Sequence, residues 1–110
     1  MGRTLEVMNG RIVSRRVGSV DWQDAMESFG MYSALIEDTG ASQLLMNMSE
    51  AEVLIPGGDA RDLAGMFLRS TPDRLVIAVI KPVNESGSRF IEAFFDVIRG
   101  AGRKIATVAS

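Results

Sequence analysis

The stretch Leu75–Ile80, LVIAVI, limits what this chain can fold into more than any other segment. It is apolar at every position, so neither face of an extended segment is marked for water. Turn signals frame it, TPDR before and KPVNESGS after. The run is too short for an ordinary buried helix and far too short to span a bilayer. It reads as a central strand covered on both sides, the pattern of parallel sheets. Parallel neighbours need crossover helices, and the rest of the sequence supplies them.

TLEVMNGRIVSRRVGSV opens the chain with a hairpin signature. Asn9-Gly10 tolerates the positive φ angles of a type I′ turn, and residues alternate on either side of it. DWQDAMESFGMYSALIEDTG is helical. Asp21 is its N-cap, Asp24 completes a capping box, and Thr39-Gly40 is its stop. Trp22, Ala25, Met26, Phe29, Tyr32, Leu35 and Ile36 form one apolar stripe. Gly30, inside that helix, is expected to mark a close backbone approach. SQLLMNMS (42–49) is a short strand, followed by a helix from about Ala60 to Arg69. After the apolar strand, RFIEAFFDVIRG is a further helix and RKIATVA a last strand. Phe94 and Phe95 are adjacent, so Phe95 widens the buried face, lines a pocket or meets a subunit.

The fold class is therefore α/β: a mixed sheet with an N-terminal antiparallel hairpin followed by parallel strands, in the order β-β-α-β-α-β-α-β. Right-handed crossovers place the helices on both faces or mainly on one. A length of 110 residues indicates a single domain over 1–110.

Composition removes several chemistries. With no cysteine and no histidine, thiolate chemistry, disulfides, zinc sites and Ser-His-Asp arrangements are excluded. A net charge of −2 with scattered basic residues gives no field for collecting nucleic acid. No apolar signal-like segment opens the chain, so a cytoplasmic protein without a membrane span is expected.

The hairpin, LLMNMSEAEV leading into a helix, RLVIAVIKP, and SGSRFIEAFFDVIRGAGRKIATV together resemble the STAS-like superfamily. That group comprises the anti-sigma-factor-antagonist fold and its relatives, and shares character with the CRAL-TRIO lipid-transfer domain. The resemblance covers nearly the whole chain as element order and hydrophobic pattern. It implies a regulatory module that meets a protein partner through the helix after Gly58 and the loop before it. Anti-sigma antagonists carry a phosphorylatable serine in an Asp-Ser-Ser-Gly-like turn after the third strand. Here that turn reads Ile55-Pro56-Gly57-Gly58, with no hydroxyl residue, so the phospho-switch is not carried over, and Ser49 does not replace it. The family also continues into another helix after the last strand. This chain stops at Ser110, which leaves a bare sheet edge or one covered by a second subunit, as in a homodimer.

Two junctions are candidate sites. Pro56-Gly57-Gly58-Asp59 offers backbone N–H groups at a helix start. The plainer reading is a tight turn with Asp59 as N-cap, in acidic surroundings from Glu50 and Glu52 in a solvated loop. The second junction has Lys81 at the end of the apolar strand, Ser86 or Ser88 as the next helix cap, and Arg89 nearby. It suits a carboxylate, a phosphate or a lipid headgroup. The plainer reading there is ordinary capping with a solvated lysine. Lys-Pro after a strand also suggests a receiver domain, but the acidic cluster is missing and Asn47 stands where an aspartate would. Asn47, a loop-facing hydrogen-bonding residue, and Ser49 at the strand end complete the partner- or ligand-facing candidates. Met8, Met26, Met31, Met46, Met48 and Met66 are core filler or the walls of an adaptable pocket.

The expected function is binding rather than catalysis: an interaction module of STAS-like type, meeting a protein partner or itself. The alternative is a carrier or sensor of a small apolar anionic ligand near Lys81 and the Ser86–Ser88 helix start. No cofactor and no metal are expected.

Overall fold

The computed structural model describes residues 2–107. Strand β1 (Gly2–Met8) and strand β2 (Arg11–Val20) pair antiparallel around the Asn9-Gly10 turn. Both turn residues have positive φ, 51° and 78°, as the type I′ geometry requires. Helix α1 (Trp22–Thr39) carries the expected capping box: Asp21 Oδ1 accepts from Asp24 N at 2.9 Å and Asp24 Oδ2 accepts from Asp21 N at 3.1 Å. Donation from the Asp21 backbone N–H, the largest influence, holds the Asp24 carboxyl below its ordinary pKa of 3.8. Gly40 ends the helix in the left-handed conformation.

Strand β3 (Gln43–Val53) leads through a 3-10 turn (Gly57–Asp59) into helix α2 (Ala60–Ser70). Strand β4 (Val76–Ile80), helix α3 (Glu85–Gly100) and strand β5 (Lys104–Thr107) complete the order. The last two residues of the expected final strand, Val108 and Ala109, lie outside the described residues. The sheet runs β1-β2-β3-β4-β5, parallel from β2 onward.

Because the strands are in sequential order, every crossover steps in the same direction. Right-handed crossovers then put all the helices on one face. Burial follows. Ile12, Leu44, Met46, Ile77 and Val79 point under the helices and are buried, while Val13, Leu45, Val76, Ala78 and Ile80 on the other face are only half-buried. The expectation of a strand covered on both sides is corrected accordingly. β4 is next to the edge strand β5, and its outer residues face away from the helices. Under the helices, Phe29, Phe67 and Phe94 form the aromatic centre of the core. Phe29–Phe67 centroids are 5.2 Å apart and Phe67–Phe94 centroids 5.7 Å apart. Phe95 is buried and packs edge-on against Phe94 at 5.1 Å, so it widens the buried face of α3.

β3 is longer than its hydrophobic pattern suggests, because a bulge hides its periodicity. Arg15 pairs with Asn47 but Val17 pairs with Glu50, so β3 carries one extra residue. Met46 and Met48 face the core before the bulge; Ala51, of the opposite parity, faces it afterwards. Glu50 and Glu52, expected in a loop, are therefore strand residues that reach across to Arg15 and Ser19. Gly30 is exposed, and a Cβ there would meet nothing within 4 Å. The expected close approach does not occur.

Candidate functional site

The carboxyl ends of β3 and β4 open onto two loops, one entering the 3-10 turn and one entering α3. The turn packs against α3, the helix that the second loop enters, and the two loops make up the rim of this end of the sheet. Leu54 is 56% exposed and Val83 89% exposed, two large apolar side chains presented to solvent at this end. Pro56, Gly57 and Gly58, just after Leu54, are exposed, and added Cβ atoms on either glycine would meet nothing within 4 Å.

Within the rim the expected caps are reassigned. Asp59 has helical backbone angles and makes no side-chain cap bond, because the 3-10 turn already leads the chain into α2. α3 is capped by Asn84, whose Oδ1 accepts from Gly87 N at 3.0 Å. Asparagine is among the strongest N-caps and comes before Ser86 and Ser88, so both serines lie inside the first turns. Lys81 Nζ is 3.3 Å from Glu92 Oε2, and Arg89 is paired with Glu85 on the exposed side of α3. Both cations thus already have carboxylate partners. Asn47 and Ser49 are strand residues at the bulge, where Asn47 Oδ1 accepts from Ser49 N at 3.1 Å and Ser49 Oγ at 2.7 Å. The loop-facing position expected for Asn47 is corrected. Among the described residues, no cluster of three or more His, Cys, Asp or Glu side chains is placed to hold a metal ion. Among the described residues, no helix is long and apolar enough to cross a membrane.

A second feature lies beneath the helices. A cavity between the sheet and all three helices is walled by Phe29 of α1, Met46 and Met48 of β3, Leu63 of α2, and Phe90 and Phe94 of α3. One charged side chain reaches it. Arg16 of β2 is buried, and its Nε has no hydrogen-bond partner among the described residues. Its Nη2 lies 3.8 Å from Asp24 Oδ1, beyond hydrogen-bond length. Beside it, Ser14 Oγ and Tyr32 Oη share a buried hydrogen bond of 2.7 Å. Burial pushes the Tyr32 phenol above its ordinary value of 10.0, while the bond to Ser14 works against that shift. Arg3 closes the cluster from β1, with Nη1 3.1 Å from Ser28 Oγ.

No local signal in the sequence marks Arg16, Ser14 or Tyr32 as a site. In β2, Ile12, Ser14 and Arg16 alternate with Val13, Arg15 and Val17, and on polarity alone the valine-bearing set has an equal claim to the core. Pairing with β3 turns the Ile12–Ser14–Arg16 set inward.

A mixed five-stranded sheet with an N-terminal hairpin and helices on one face is the STAS-like arrangement expected from the sequence. Solved structures of the anti-sigma factor antagonist SpoIIAA share it. The unphosphorylated form aligns with a TM-score of 0.61 over 97% of this chain and 89% of that one, at 13% identity. The phosphorylated form, described as a Bacillus cell fate determinant, aligns with a TM-score of 0.60 over 97% and 91%, at 15% identity. At such identities the likeness is one of fold. No protein-family model matches the chain, and no curated protein matches it in sequence.

Proposed function

We propose that residues 1–110 act as one STAS-like interaction domain: a non-enzymatic, cytoplasmic regulatory module that recognises a protein, or a second copy of itself, through the rim of Leu54–Asp59 and the loop before α3. The observation that carries this is the exposure of Leu54 and Val83 on the loops that follow β3 and β4. Large apolar side chains held in solvent beside an open, side-chain-free turn are what a protein interface uses as anchors. Pro56, Gly57, Gly58 and Asp59 form the contact surface, with Lys81, Ser86, Ser88 and Arg89 on its flank. SpoIIAA is named as an anti-sigma factor antagonist and has been solved with and without phosphate. A comparable partner-binding role fits this chain. A phosphorylation switch at the same turn does not, since Ile55-Pro56-Gly57-Gly58 offers no hydroxyl. The carrier alternative at Lys81 is less favoured, because Glu92 already holds that cation.

The test is affinity capture from the source cell with Leu54→Asp, Val83→Asp and, as a control on the exposed side of α1, Met31→Asp, each checked for folding by circular dichroism. The proposal expects one protein retained by the wild type and the control and lost by both rim variants. An identical retained set for all four contradicts it.

A further inference from the structure

Among the described residues, Arg16 is a buried charge with no hydrogen bond at all, compensated only by an Asp24 carboxylate 3.8 Å away. Arg103 is equally buried, but it donates to Thr71 Oγ1 at 3.0 Å, Leu68 O at 2.9 Å and Thr71 O at 2.7 Å. Arg16 faces an apolar cavity with its Nε–H unpartnered. A guanidinium in such a place wants an anion with planar acceptor oxygens, and the walls around it want apolar surface.

We propose that the cavity is a binding site for a small unbranched alkyl carboxylate, its carboxylate on the Arg16 guanidinium and its chain among Met46, Met48 and Phe94. The cavity is small, about 40 Å³, room for a few water molecules, so a chain enters it only as the Met46 and Met48 side chains move aside. The site is therefore narrow, which favours a slim polymethylene chain over a ring. Met46 and Met48 are flexible and polarisable, so the walls yield to a chain with little strain. The β3 bulge lies beside Arg16 in the sheet, a usual place for a device that re-aims side chains at a site. This site is separate from the loop rim and does not depend on that rim's role.

The probe is sodium octanoate, with octan-1-ol as the uncharged control, titrated into the full chain by calorimetry and by 15N–1H NMR. Saturable octanoate binding is expected, with the Arg16 Nε–H cross-peak among the strongest shifts. Octanol is expected to bind at least tenfold more weakly. Arg16→Met is expected to weaken octanoate at least tenfold, about 1.4 kcal/mol. If that variant does not fold, the wild-type cross-peak and the octanol arm decide alone. Absence of saturable binding, an unmoved Arg16 cross-peak, or equal affinity for octanol overturns the proposal.

Discussion

The two buried arginines should respond in opposite ways to the same substitution. Each is only 5% exposed. Arg103→Met removes three donated bonds and leaves the carbonyls of Leu68 and Thr71 without their partner at the end of α2. Hydrogen bonds to a charged group contribute about 1.5–3 kcal/mol each, and relief from burying the guanidinium offsets several kcal/mol of that sum. The Asp73 carboxylate, 3.4 Å from Arg103 Nε, is fully exposed and adds little. The net loss is about 3 kcal/mol, or about 12 °C in Tm for a domain this size. Arg16→Met removes no hydrogen bond of comparable length, only the 3.8 Å approach to a part-exposed Asp24. It relieves an unpartnered buried N–H, which costs about 1–3 kcal/mol, so the variant should be as stable as the wild type or about 1 kcal/mol more stable. Urea unfolding followed by far-ultraviolet circular dichroism gives both values, with unchanged m-values confirming the same unfolding transition. The reasoning is refuted if Arg16→Met is destabilised as much as Arg103→Met, or if Arg103→Met stays within about 1 kcal/mol of wild type.

Tyr32 is the chain's only tyrosine, so absorbance at 295 nm reports its phenol alone. Its folded pKa is raised, so its contribution to stability is intact below 10.0 and is lost as pH rises through the folded value. Phenolate is expected to appear together with base unfolding; titration near 10.0 in the folded protein would contradict that. Gly30→Ala should stabilise the protein by about 0.5–1 kcal/mol in chemical denaturation, since the position is mid-helix and an added Cβ meets open space. A loss of stability there would show a contact the fold does not contain.

Much of the architecture was legible because local signals agreed with one another. Asn9-Gly10, the Asp21–Asp24 box and Gly40 each act within a few residues, and each formed as expected. The errors came where tertiary pairing overrode local pattern. The bulge shifted parity inside β3, so Glu50 and Glu52 looked like loop residues. The six apolar residues of LVIAVI indicated burial on two faces, yet the sequential strand order left one face without helices. Ser86 and Ser88 were reasonable caps, but Asn84 came first. The loop at Gly57–Gly58 was visible as a turn, whereas no local pattern marks Leu54 and Val83 as exposed. Arg16 was the least legible, because only registry with β3 decides which alternating set of β2 points inward.

The most direct test of the loop rim as a recognition surface is site-specific photo-crosslinking. A benzophenone amino acid is placed at Gly58 or, as a control, at Gly30; both are exposed positions with nothing within 4 Å of an added Cβ. Irradiation in the source cell should give a discrete protein adduct, either with another protein or with a second copy, from Gly58 and none from Gly30. Adducts of equal yield and identity from both positions, or no adduct from Gly58, would contradict the account.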